Sequence, residues 1–246
     1  MKTGKIFFFS PTGGTERVAQ IIRREMGGEF VNMTVSAENT VCHSDELVFF
    51  CFPVYGGRIP APVYERMEHM SGDHTPAVLT AVFGNRAVDD ALLEMSELCR
   101  PRGFVTVAGA EMVAPHSVAK QYGSGRPDSQ DIAALRSFLS SLRKLEAVRE
   151  VPMPGNKPYR AYEGIPLKPS AGRGCTGCGL CARSCPAGAI DPTDPHKTDK
   201  AKCISCMRCV SVCPSRARKV PAPMMLAASV RMKKLCGERK EASFIL

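Results

Sequence analysis

The chain alternates short apolar runs with stretches of helical spacing. Ile6 to Phe9 are four consecutive apolar residues between turn formers; such an unbroken run fits a strand covered on both faces. The strand ends at Ser10. After Ser10-Pro11-Thr12-Gly13-Gly14-Thr15, residues Val18, Ile21 and Ile22 recur at helical spacing, which predicts a helix starting near Thr15 with Glu16 in its first turn. Further apolar runs, "EFVNM", "ELVFFCF", "AVLTAVF" and "FVTVAGAEMV", follow about one helix apart. Helices are expected between them, over 61–70, 88–99 and 128–150. The last has Asp128 as its cap, Asp131 three residues on, and Ile132, Leu135, Leu139, Leu142 and Leu145 on one face. Five strands alternating with helices predict a doubly wound parallel α/β sheet, whose ligands sit beyond the carboxyl ends of the strands.

The first loop lies at such an end. Unpaired N–H groups and the positive end of a helix dipole converge there, and Gly13 and Gly14 let an anion approach closely. No Lys follows the second Gly, and the dinucleotide pattern G-x-G-x-x-G is missing, so neither a triphosphate loop nor a dinucleotide fingerprint is present. Two readings stand for this loop alone, a phosphate cradle and a simple helix cap.

Composition adds a second module. At 246 residues and 44% hydrophobic, the chain can bury one ordinary domain and a smaller one. Its apolar stretches fall short of the ~18 residues that span a bilayer, and "IFFF" is too short for a signal peptide, so a cytoplasmic location is expected. Twelve cysteines in such a chain point to metal ligation rather than disulfides, and eight of them fall between 175 and 213. Cys42, Cys51, Cys99 and Cys236 are scattered and read as small buried or incidental thiols. The charge is also uneven. Residues 1–150 hold 16 Lys and Arg against 18 Asp and Glu, whereas 151–246 hold 17 against 6, so the whole excess behind the formal charge of +9 accompanies the cysteines.

The clustered cysteines form a duplication with a shift of 28 residues: Cys175-x-x-Cys178-x-x-Cys181-x-x-x-Cys185-Pro186 and Cys203-x-x-Cys206-x-x-Cys209-x-x-x-Cys213-Pro214. In such a pair of runs the first three cysteines of each hold one 4Fe-4S cluster, while the fourth crosses to the other. Cluster one is then expected on Cys175, Cys178, Cys181 and Cys213, and cluster two on Cys203, Cys206, Cys209 and Cys185. Zinc is the competing reading, but its sites pair two short Cys-x-x-Cys elements across a longer gap.

Residues 171–220 resemble the bacterial-type two-cluster ferredoxins, down to "CPAGAI" after the first run. The connection of 17 residues between Cys185 and Cys203 is longer than in compact versions of that family. The second repeat carries "SRARKV" in place of "AGAI", which brings Arg216, Arg218 and Lys219 near cluster two and is expected to raise its potential. Two oxidised clusters, each about -2 with its thiolates, lower the C-terminal excess to about +7. The remainder suits an acidic redox partner better than nucleic acid, since no recognition motif is present and the chain has five tyrosines and no tryptophan for stacking.

Residues 3–149 resemble the flavodoxins through S/T-x-T-G-x-T, matched by Ser10, Thr12, Gly13 and Thr15. The resemblance implies a five-stranded parallel sheet of order 2-1-3-4-5. It also implies that the first loop, with Gly14, binds the FMN phosphate, while Pro53, Val54, Tyr55, Gly56 and Gly57 and then Phe83, Gly84, Asn85 and Arg86 hold the ring. Tyr55 is the candidate to stack on the ring, against the alternative of a half-buried loop tyrosine. His116, in the loop after the fifth strand, is either a closing residue or a surface histidine. Arg58 and Arg86 stand where carrier flavodoxins tend to be acidic or neutral, which predicts an FMN that is easier to reduce.

The domains expected are 1–150 flavodoxin-like, 151–170 a stiff Pro- and Gly-rich linker whose "PGNKPYR" is more specific than a spacer needs and could lie against the first domain, 171–221 a small α+β ferredoxin-like domain and 222–246 a tail with a docking helix. This order resembles the flavodoxin-ferredoxin fusion proteins of anaerobic bacteria. The resemblance implies an electron-transfer flavoprotein with FMN and two [4Fe-4S] clusters that interconverts one- and two-electron steps with a redox protein partner of acidic docking face. The rivals are an FMN-dependent reductase of a small organic acceptor, a quinone or nitro compound, and a redox sensor without turnover.

Overall fold

The computed structural model describes every residue except Met1 and Glu146. In chain order the first domain runs β1 (Lys2–Phe8), α1 (Gly14–Met26), β2 (Glu29–Asn32), β3 (Thr40–Cys42), β4 (Glu46–Pro53), α2 (Ala61–Met67), β5 (Met70–Gly72), β6 (Thr75–Phe83), α3 (Ala91–Cys99), β7 (Phe104–Val113) and α4 (Ser129–Leu142). Strands β2-β1-β4-β6-β7 are parallel and adjacent in that order, while β3 and β5 form a separate two-stranded pair. Alternate side chains of the central strands enter different cores. Phe7, Phe9, Phe50 and Phe52 pack with α2 and α3, whereas Ile6, Phe8, Phe49 and Cys51 pack with α1 and α4. Burial on both faces explains why these strands read as continuous apolar runs.

Helix α4 is shorter than the span 128–150 expected from its periodicity; Glu146 of that span lies outside the described residues. Its start is a capping box. The Asp128 side chain accepts from the Gln130 and Asp131 N–H groups, and the Asp131 carboxylate accepts from Asp128 N at 2.9 Å.

The second half continues with β8 (Ser170–Ala171), α5 (Leu180–Arg183), α6 (Arg208–Ser211), β9 (Arg218–Lys219), α7 (Ala222–Cys236) and β10 (Ser243–Ile245). The duplication is visible in the backbone. Helices α5 and α6 are related by the 28-residue shift, and so are the positive φ angles of Gly177, Gly179 and Gly188 with those of Ser205, Met207 and Arg216. Side-chain-bearing residues thus hold the left-handed conformation in the second repeat at some steric cost.

One expectation needs correction. The main sheet has six strands and mixed direction, because the tail returns to pair β10 antiparallel to β7, with Phe244 opposite Ala110. Residues 151–170 lie against the sheet domain. Val151 N donates to Thr106 O at 2.8 Å, the Met153 sulfur lies against Gly109, and Asp90 accepts from the N–H groups of Asn156 at 2.8 Å and Arg160 at 2.6 Å. These bonds strap the segment across α3 and the sheet edge.

Candidate functional site

The carboxyl ends of β1, β4, β6 and β7 open into a cavity of about 720 Å³. Ser10, Thr12, Gly14, Thr15, Pro53, Val54, Tyr55, Gly56, Phe83, Gly84, Arg86 and His116 all line it. At its first loop Gly13 takes φ 88° and starts α1 as an N-cap without a side-chain hydrogen bond. Ser10 Oγ accepts from Glu16 N at 2.9 Å, and Arg17 N donates to Gly13 O at 3.0 Å. Among the described residues, the N–H groups of Thr12, Gly13, Gly14 and Thr15 have no backbone acceptor. Four free donors at a helix N-terminus beside a large, mainly apolar cavity fit a planar ligand carrying a phosphate.

Gly13 and Gly57 do not line the cavity, and neither do two polar residues from the expected ring loops. Asn85 faces the other way: its Nδ2 donates to Cys236 O at 2.7 Å and Glu238 O at 2.8 Å, and its Oδ1 accepts from Lys240 N at 3.1 Å. Arg58 turns to Glu94, which accepts from Nε at 2.8 Å and from NH2 at 2.6 Å. Arg86 reaches the cavity but is paired with Asp89. Neither arginine presents an unpaired positive charge to the cavity, because a nearby carboxylate neutralises each.

The glycines of the ring loops are explained by neighbouring side chains. The Tyr162 ring occupies the space that a Cβ on Gly56 would need, Asp89 does so at Gly57, and at Gly84 a Cβ would come within 2.6 Å of His116 Cδ2. His116 Nδ1 accepts from the N–H groups of Val118 at 3.1 Å and Ala119 at 3.3 Å, so the ring proton of the neutral form belongs to Nε2. Burial lowers the His116 pKa to about 4 and keeps the ring neutral at pH 7.

The rest of the cavity comes from segments with no site pattern of their own. Arg160, Tyr162, Ile165 and Leu167 enter from the 151–170 strap, and Met224, Ala228, Arg231, Met232 and Leu235 from one face of α7. Their helical spacing was legible as a helix, but nothing local indicated what it would cover. Ile204 and Ser205, between two of the expected cluster-two ligands, also line the cavity. Burial pushes the Tyr55 phenol well above its ordinary pKa, and the adjacent Cys206 and Tyr162 add to the effect. Arg208 NH1 donates to Pro11 O at 3.0 Å and Arg66 NH2 to Pro186 O at 2.9 Å, so both halves of the cysteine module are tied to the sheet domain.

Cys185, Cys203, Cys206 and Cys209 ring a second, smaller cavity together with Arg218. Burial pushes the Cys206 thiol up to about 12, and Cys209, Cys185 and Cys203 push it the same way. These four are the set that the spacing assigned to cluster two. Among the described residues no three His, Cys, Asp or Glu side chains close around a single ion position; a cluster spreads its thiolates over the corners of a cube. Of the first set, Cys181 accepts from Arg218 NH1 at 3.7 Å, and Cys213 Sγ lies 3.6 Å from Ser215 Oγ. The donor chemistry fits iron–sulfur clusters. The scattered Cys42, Cys51, Cys99 and Cys236 are all buried, and desolvation raises each thiol, Cys51 to about 12.

Residues 174–218 match the family described as 4Fe-4S dicluster domain. A curated relative, one of the subunits of the ion-translocating oxidoreductase complex of Methanosarcina acetivorans, is 47% identical over 45 residues, which are 18% of this chain and 17% of that protein. The chain therefore spans less than a fifth of that relative's length. Among solved structures, a flavodoxin of Streptococcus pneumoniae TIGR4 is 20% identical and covers 58% of this chain and 98% of its own, at a TM-score of 0.38. Rubredoxin:oxygen oxidoreductase from the anaerobe Desulfovibrio gigas is 12% identical over 58% of this chain and 36% of its own, at a TM-score of 0.42. By its parallel strand order and its matched cysteine segment, the chain joins a flavodoxin-like fold to a 4Fe-4S dicluster domain at residues 174–218.

Proposed function

We propose that the chain is an electron-transfer flavoprotein that exchanges electrons between two [4Fe-4S] clusters and FMN. One observation carries the reading: the cavity at the strand ends is lined both by the flavodoxin-like loops, Tyr55 among them, and by Ile204 and Ser205, the two residues between Cys203 and Cys206. In this reading Thr12, Gly13, Gly14 and Thr15 offer backbone donors to the FMN phosphate, and Tyr55, Tyr162 and His116 surround the ring. Cys175, Cys178, Cys181 and Cys213 hold one cluster and Cys203, Cys206, Cys209 and Cys185 the other. When bound, the clusters carry single electrons and FMN stores two, so their union on one chain joins one- and two-electron chemistry.

The basic excess of the C-terminal half supports a redox protein partner with an acidic docking face, working in the cytoplasm. The matched relative is named as part of an oxidoreductase complex, which supports a protein partner as well. Among the described residues no helix is long and apolar enough to cross a membrane. Anaerobic purification with iron, sulfide and flavin assays tests the cofactors. About eight irons and one FMN per chain are expected, and four irons or fewer in fully reconstituted protein would contradict the two-cluster set.

A second reading has its own observation. Met224, Ala228, Met232 and Leu235 give the cavity an apolar wall on α7, which suits an FMN-dependent reductase of a small organic acceptor, a quinone or nitro compound, fed by the clusters. Rapid reoxidation of the reduced protein by such a compound, saturating with its concentration, would favour this reading over the pure carrier.

A further inference from the structure

Arg218 is the largest buried side chain of the cysteine module, with 2% of its surface exposed. Its acceptors are three neutral oxygens, Pro195 O at 2.6 Å, Thr198 Oγ1 at 2.7 Å and Pro169 O at 3.1 Å, and one sulfur, Cys181 Sγ at 3.7 Å. Its Nε is buried with no partner at all. Among the described residues no carboxylate pairs with this guanidinium. A buried charge without a counter-ion is costly, so something anionic must face it.

The guanidinium spans both ligand sets. Cys181, which accepts from it, belongs to the set of cluster one, whereas Cys209, which lines the same small cavity as Arg218, belongs to cluster two. Arg218 also borders the cavity ringed by the cluster-two thiols. The duplication sharpens the point. Shifting back by 28 residues, the first repeat has Ile190 in this position, itself buried at 5% exposure. One repeat fills the position with hydrocarbon, and the other introduces a cation.

We propose that Arg218 is a positioning residue shared by the two clusters, a single buried guanidinium that faces the thiolates of both and serves as their common counter-charge. The proposal rests on the two-cluster reading above. Positive charge favours the more negative, reduced form of each cluster, so Arg218 raises both potentials together, whereas an arginine beside one cluster would shift one alone. Its neutral bonds to Pro169, Pro195 and Thr198 also hold β8 and the 191–200 loop, and that role would survive without any effect on potential.

The test is an EPR-monitored redox titration of the purified holoprotein, with iron and sulfide counted first. Fewer than two clusters in the unaltered protein would remove the reading beneath the proposal and leave nothing to titrate. With two clusters present, Arg218→Met should lower both midpoints by about 59 mV or more, a tenfold change in each one-electron equilibrium. Arg218→Lys should restore most of the shift. Unchanged potentials in Arg218→Met, or a shift confined to one cluster, would overturn the proposal. If Arg218→Met fails to assemble, pulsed EPR on unaltered protein carrying ¹⁵N-arginine decides: nitrogen coupling to both reduced clusters is expected, and coupling to one or neither refutes it.

Discussion

Arg58 and Glu94 form a two-pronged ion pair, Nε to Oε2 at 2.8 Å and NH2 to Oε1 at 2.6 Å, with the Glu94 side chain only 2% exposed. The same carboxylate also accepts from Ile59 N at 2.9 Å and from the Tyr64 hydroxyl. The pair therefore fixes the loop after β4 to α3. Arg58→Ala leaves a buried carboxylate short of its counter-ion and should cost about 3 kcal/mol in urea unfolding. A double variant, Arg58→Met with Glu94→Leu, should recover part of that loss. Because Glu94 already neutralises the guanidinium, the double variant, which removes both charges, should keep the flavin potential of the unaltered protein.

Asn85 ties down the chain end. Its amide bonds to Cys236 O, Glu238 O and Lys240 N connect the loop after β6 to the turn between α7 and β10. Asn85→Ala would leave two carbonyls and an N–H without these partners, at about 1–3 kcal/mol. Trypsin offers a direct readout. Cleavage at Arg231, Lys233 or Lys234 should become much faster in the variant, with hydrogen exchange across 222–240 rising in parallel, while exchange in β1 and β4 stays unchanged.

Glu94 and Asn85 act through partners far along the chain, which no local pattern encodes. Strands β1 and β4 were legible because burial on both faces leaves an unbroken apolar run, and the Asp128–Asp131 box because its partners lie three residues apart. The cysteine repeat was legible for the same local reason. Glu94, by contrast, is 36 positions from Arg58, and the partners of Asn85 lie about 150 positions away. Nothing in the pattern of either loop encodes such a partner. The three-residue β10 is too short for its period to distinguish strand from coil. Tyr162 was read as linker because Pro and Gly surround it, although its ring fills the space beside Gly56.

Tyr55 and Tyr162 both line the cavity. Tyr55→Leu would keep an apolar side chain and remove the aromatic face, so FMN affinity should fall about tenfold, near 1.4 kcal/mol. Fluorescence titration of flavin-free protein with its clusters intact would measure this. An unchanged dissociation constant would mean that Tyr55 does not touch the ring.

His116 makes the site sensitive to acid. Burial lowers its pKa from 6.5 in the unfolded chain to about 4 in the fold, where Nδ1 accepts from Val118 N and Ala119 N. Protonation would turn that acceptor into a donor facing two other donors. Above pH 6.5 both states are neutral and the contribution to stability is full. As pH falls toward 4 the unfolded chain takes up a proton that the folded one refuses, so stability declines, by on the order of 2 kcal/mol over this window. His116→Asn presents Oδ1 to the same two N–H groups without a titrating ring. Urea midpoints measured at pH 7 and pH 5 should therefore fall further in the unaltered protein than in the variant. Equal losses, or a ring that titrates near 6.5 by NMR, would show that His116 is free to take its proton in the fold.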